Sequence, residues 1–222
     1  MALDAQALGR LLQISSSSLP VGAFAYSEGL EYLVAEGRVH DQASLGAWLL
    51  DLLHYGPVRV DTAIIRRVMM AMFRDDSVQL YGWDAWLVAS RESEELREQG
   101  KVMARALWRL SQSLENPMCL QQPPEQYVSV YAALAAHWQL PVFEALYAYI
   151  HSWLSNLVTA GVKLIPLGQL QGQQLIGALH ESIHSATNFA MQARDEDLYS
   201  WTTGQSLASM GHETLYSRLF RS

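Results

Sequence analysis

The sequence predicts an all-α fold: a single-domain bundle of about nine or ten helices with no sheet. Two observations predict it. Apolar residues recur three and four positions apart along most of the chain, which places them on one face of a helix. No run of β-branched residues alternates with polar ones, and the Asn-Gly and Asp-Gly pairs that mark hairpins are missing.

The elements follow in order. Leu45, Trp48, Leu49, Leu52 and Leu53 form one stripe. Ile65, Val68, Met69, Met72 and Phe73 form the next, in a segment entered through Pro57 and closed by Asp75-Asp76-Ser77. Proline is tolerated in a first helical turn, where its missing N–H leaves no bond unmade. Leu96, Gly100, Met103, Leu107, Leu110 and Leu114 make a third stripe. Residues 112–126, rich in Pro and Gln, read as an internal loop between two helical halves. Residues 172–192 read as helical and 194–211 as an irregular segment with an acidic cluster. Residues 212–222 read as an apolar-basic tail suited to docking.

Composition narrows the class. At 222 residues the chain is long enough to bury a sizeable core without disulfide or metal support. Fifteen Lys+Arg against 22 Asp+Glu give a formal charge of −7, the wrong sign for a nucleic-acid partner. Cys119 is the only cysteine, so neither an intrachain disulfide nor a cysteine-cluster zinc site can form. No apolar stretch approaches the ~18 residues that suggest a membrane span. The N-terminal residues do not read as a signal peptide, so a cytoplasmic protein is expected.

Charge is unevenly distributed. Residues 91–109 carry nine charged side chains, whereas from 110 to 180 only Glu115, Glu125, Glu144 and Lys163 are charged. The first segment reads as a helix solvated on most of its circumference. The second half must be mostly buried. A helix apolar nearly all round, such as 147–157, points to a second subunit, and a homodimer is expected.

Several motifs bear on chemistry. His180-Glu181-Ser182-Ile183-His184 is a literal H-E-x-x-H, whose histidines would share a helix face as a zinc peptidase requires. A third ligand would have to come from Glu196 or His212; otherwise the motif is a polar helix face. Lys163 lies between Gly161 and Pro166, at a break between helices that could present it to a partner, or its stem could simply lie on apolar surface. Arg97, Lys101, Arg105 and Arg109 recur at i, i+4 beside Glu94, Glu95 and Glu98, a solvated face laced with ion pairs or a docking face. Cys119 sits in the Pro/Gln loop without an adjacent base, a poor setting for a nucleophile. No G-x-x-x-x-G-K-[ST] phosphate loop occurs.

Four segments, taken together, resemble a known family. Leu19-Pro20-Val21-Gly22 with Ser27-Glu28-Gly29-Leu30-Glu31 comes first, followed by Ser90-Arg91-Glu92-Ser93-Glu94-Glu95-Leu96-Arg97. Ala160-Gly161-Val162-Lys163-Leu164-Ile165-Pro166-Leu167-Gly168-Gln169 is third, and the ending His212 to Ser222 is last. Their order and spacing are similar to those of UreF, the urease accessory proteins, over essentially the whole chain. Ala23 and Glu94 depart from that pattern, standing where a glycine and an arginine are expected.

The resemblance implies an all-helical, dimeric, non-catalytic scaffold that binds no cofactor itself. It would join UreD (also called UreH) and the GTPase UreG on apo-urease, in a nickel- and GTP-dependent complex that loads the urease active site. It further implies partner contacts by Lys163, Gln169, Tyr216, Arg218, Phe220 and Arg221. Glu28, Glu31, Arg91, Glu95 and Arg97 would serve partner contact or the polar lining of an internal metal passage. His180 and His184 have no place in the family pattern.

Overall fold

The computed structural model of the protein describes residues 3–221. Among these described residues eleven α-helices follow one another: α1 (Ala5–Ile14), α2 (Leu30–Ala35), α3 (Gln42–Tyr55), α4 (Pro57–Phe73), α5 (Ser77–Ser90), α6 (Glu94–Gln112), α7 (Tyr127–His137), α8 (Val142–Leu164), α9 (Gln169–Ala178), α10 (His180–Gln192) and α11 (Thr203–His212). Short 3-10 turns cover Ala23–Ala25 and Asp195–Asp197, and no strand occurs among the described residues. The expected all-α class is therefore the observed one. No described helix is long and apolar enough to cross a membrane.

Helix starts are written in side chains that accept otherwise orphaned N–H groups. Asp4 caps α1 through Ala7 N–H, Asp76 caps α5 through Gln79 N–H, and Ser93 caps α6 through Leu96 N–H. Asp41 and Ser44 form a reciprocal capping box on α3. Pro57 opens α4, and the Pro/Gln loop separates α6 from α7 as the sequence predicts.

At the centre α4 lies against α7, with α3, α5, α8 and α10 around α4. Every residue of α7 from Val128 to Ala136 is buried, so this helix has no solvent face to decorate with charge. In α8, Leu146, Ile150, Leu154 and Leu157 are fully buried against α1, α2, α4, α9 and α10 of the same chain. Intrachain packing thus accounts for much of the neutrality of the second half.

Two stretches differ from expectation. Residues 172–192 are two helices, because the chain turns at Leu179, whose N–H bonds back to the carbonyls of Leu175 and Ile176. Residues 203–211, expected to be irregular, form α11 together with His212, the first residue of the expected tail. Its buried face is Gln205, Ala208, Ser209 and His212, a helical repeat made almost entirely of polar and small residues. A search for apolar period passes over such a face, which burial against α2 makes helical.

Gly29, just before α2, has φ +88°, and a Cβ there would lie 2.9 Å from the Ser209 backbone nitrogen. A glycine is therefore what lets α2 and α11 approach.

Candidate functional site

Two polar centres stand out in this mostly apolar bundle, a cleft and a docked tail. The cleft holds about 100 Å³ and lies between α4, α6, α7 and α8. Asp61 projects into it from α4, on the same stripe as Val58, Ile65 and Val68. Arg91, which ends α5, meets it with one guanidinium nitrogen at 2.9 and 3.1 Å from the two carboxylate oxygens. Both side chains are largely withdrawn from solvent, 12% and 14% exposed, so each requires the other. Burial pushes the Asp61 carboxyl above its ordinary range, opposed by the Arg91 guanidinium.

Glu28 belongs to the same cleft. Its carboxylate accepts Trp153 Nε1–H at 3.0 Å and Gln99 Nε2–H at 3.3 Å. Desolvation nevertheless pushes its carboxyl up, opposed by the Trp153 bond. Gln126 is fully buried over Gly100 on the cleft wall, and neither atom of its side-chain amide has a hydrogen-bond partner among the described residues. Asp61 and Arg91 also border a neighbouring cleft with Glu92, Trp86 and Tyr199.

The second centre is built from both ends of the chain. His212, wholly buried, sets Nδ1 2.8 Å from a Glu95 oxygen and Nε2 3.1 Å from a Glu31 oxygen. Glu31 also accepts the backbone N–H groups of Leu219 at 2.6 Å and Phe220 at 2.9 Å. Arg218 pairs with the other oxygen of Glu95. Arg221 N–H reaches the Ala25 carbonyl at 2.8 Å. The Phe220 ring is buried, and the Lys163 ammonium lies 5.7 Å from its centroid.

The residues singled out in the sequence thus sort into groups. Glu28 and Arg91 meet in the cleft. Arg97 hydrogen-bonds the Arg91 carbonyl at 2.8 Å and so braces the turn that delivers Arg91. Glu31, Glu95, Arg218, Phe220 and Lys163 meet at the tail. Gln169, at the start of α9, and Tyr216 are exposed. The tail is not a free arm: it folds back on its own body, though Ser222 lies outside the described residues.

The row along α6 holds one charge-pair contact within the helix, Lys101 with Glu98 at 3.5 Å, rather than a lacing of pairs. Arg105 and Arg109 are solvent-exposed. Cys119 is exposed in its loop.

The H-E-x-x-H motif does lie on a helix, and its histidines are exposed. Their rings have different neighbours, however. His184 stacks edge-on with Phe143 and contacts Asn188 through Nδ1, while His180 faces His151. His212 is held elsewhere by Glu31 and Glu95, and Glu196 pairs with Arg194. Among the described residues no group of three or more His, Cys, Asp or Glu could hold a metal.

Sequence reasoning missed Asp61 and the engagement of His212. Asp61 had a legible signal: a lone carboxylate on the buried stripe of α4 demands a buried cation. His212 had none, because its partners lie 181 and 117 positions away.

Fold and site together define a helical protein whose polar features are devoted to one internal cleft and one re-docked terminus. Residues 39–180 match the family model described as UreF. The chain belongs to the UreF family. It is 46% identical over 222 residues to the urease accessory protein UreF of Microcystis aeruginosa, covering 99% of this chain and 100% of that protein. The corresponding protein of a Nostoc species is 45% identical over 217 residues, 96% of this chain and 94% of its own length. That of Thermosynechococcus vestitus is 45% identical over 224 residues.

Proposed function

We propose that this chain is a non-catalytic scaffold of urease maturation. It would join UreD/UreH and the GTPase UreG on apo-urease and couple GTP hydrolysis to delivery of nickel into the urease active site. The observation that carries this reading is convergence. Glu31, Glu95, Lys163 and the tail come from four separate segments of the family pattern, and they meet around Phe220 and His212. Such a composite surface, fringed by exposed Tyr216 and Leu219, suits recognition of a protein partner.

Nickel is cargo in this reading. Glu28, Asp61 and Arg91 supply charged groups to the lining of the cleft, as an internal passage would need. Glu31 and Glu95 are taken up by the tail and serve the docking surface instead. Self-association belongs to the same reading, with exposed Leu8, Leu12 and Phe24 offering apolar surface beyond what the chain buries by itself.

The test is co-expression of the tagged full chain with UreD/UreH and UreG, followed by size exclusion. A stable assembly containing the GTPase is expected. Elution of the tagged protein by itself, with its partners soluble, would overturn the scaffold reading. Truncation after His212 should weaken UreD/UreH binding while leaving helicity intact, and an unchanged affinity would remove the tail from the interface.

A further inference from the structure

The first histidine of the H-E-x-x-H motif meets another histidine, but not the one in its own motif. One turn along α10, His184 is engaged by Phe143 and Asn188. His180, the first residue of α10, faces His151 of α8, with ring centroids 6.0 Å apart and planes tilted by 37°. Zinc–imidazole bonds of about 2.0–2.1 Å put the centres of two rings on one ion about 5–6 Å apart, according to the angle between the bonds. The observed spacing falls in that range.

The two rings are also uncommitted. His40, His137, His184 and His212 each hold a ring nitrogen within hydrogen-bond distance of a protein group. Neither His151 nor His180 has such a partner among the described residues. His180 is exposed, and neither nitrogen of the half-buried His151 is sealed from solvent, so an ion has a way in. Burial and the neighbouring His180 lower the His151 pKa, which favours the neutral ring that a metal ion requires. The surrounding charge is permissive. Between Arg109 and Arg194 the only basic residue is Lys163, more than three turns beyond His151 on α8, while Glu144 and Glu181 lie on the same two helices.

Core packing fixes the pair. Ile150 and Leu154 on α8 are buried, as are Leu179 and Ile183 on either side of the His180 turn, so rigid helices set the points from which both rings project. We propose that His151 and His180 together bind one divalent transition ion of the kind that favours imidazole, such as zinc, nickel or copper. The chain supplies two nitrogens. With no third His, Cys, Asp or Glu grouped there among the described residues, the remaining positions fall to water or to a donor atom from a partner. No carboxylate or carbonyl braces either ring, a lack that costs an imidazole site about 10–100-fold in affinity. The ion is therefore held exchangeably rather than as structural zinc. This site stands independently of the scaffold reading.

The test titrates the full chain, without a polyhistidine tag, with zinc chloride and separately with nickel chloride. Calorimetry should show one ion per chain at this site. In histidine side-chain NMR, zinc should shift the His151 and His180 rings together. His151→Gln and His180→Gln should each lower affinity roughly tenfold or more, at least the loss that removing an outer-shell partner brings. His184→Gln should leave it unchanged. His151→Cys replaces one zinc ligand by another and should retain zinc binding. If a glutamine variant fails to fold, the ring shifts of the wild-type chain decide. Absence of both heat and ring shifts would overturn the site. So would shifts confined to His180 and His184, which would make the motif its own chelate, or binding that survives His151→Gln undiminished.

Discussion

Glu31 and Phe220 stand 189 positions apart, yet the Glu31 carboxylate accepts the Phe220 backbone N–H at 2.9 Å. Through this bond and its neighbour to Leu219, the last residues of the chain become part of the wall formed by α2 and α6. Phe220→Ala should therefore free the tail. Limited proteolysis at Arg218 should accelerate several-fold, while the main thermal transition moves little, because the tail opens as a local unit. A large drop in melting temperature with no gain in cleavage would contradict this.

Lys163 meets the tail at the face of Phe220, a contact worth about 0.5–1 kcal/mol at an exposed site. Lys163→Ala should leave the fold intact, loosen the tail slightly and reduce urease activation in a reconstituted assembly. Undiminished activation would return Lys163 to a solvated side chain.

The buried Asp61–Arg91 pair should be unforgiving of half-removal. Asp61→Asn leaves Arg91 without its counter-charge and should cost about 3–5 kcal/mol in urea denaturation. Replacing both with apolar residues of similar volume should recover most of that loss. A double variant as unstable as the single would mean that the pair is net stabilising.

Glu28 sets a pH dependence whose sign follows from burial. Desolvation raises its carboxyl above the ordinary 4.5, against the opposing Trp153 bond. A raised folded-state value means that the folded chain holds this proton more tightly than the unfolded chain. The associated stabilisation is complete below the unfolded value and is lost as pH rises through the folded one. Glu28→Gln should flatten that slope in denaturation curves taken from mildly acidic to neutral pH. An unchanged slope would show that Glu28 does not contribute to it.

Gly29→Ala should separate α2 from α11. The position has φ +88°, and the new Cβ would meet Ser209 N at 2.9 Å and Ala208 at 3.1 Å. A cost of about 1–3 kcal/mol is expected from the backbone conformation alone. Stability equal to wild type would show that α11 can shift freely.

Much of the fold was legible because helix formation is local. The stripes of α3, α4 and α6, the Pro57 entry and the Pro/Gln loop are each read within a few turns of chain. The same locality explains what was lost. The face of α11 is polar and small, so its helix exists through packing on α2 rather than through an apolar period. Leu179 breaks a segment of uniform composition without any Pro, so the α9–α10 turn left no mark.

By itself, then, the sequence determined the helical class, the excess of negative charge, the single cysteine and the four family segments. It also held the demand that Asp61 be paired, since a carboxylate on a buried stripe is costly without a cation. Only the tertiary structure decided that Arg91 meets that demand, that His212 lies between Glu31 and Glu95, and that the tail docks on its own body. Those pairings join residues 30 to 189 positions apart. No local propensity encodes them; they follow from how eleven helices pack to bury their apolar faces, and that packing determines which polar groups must find one another.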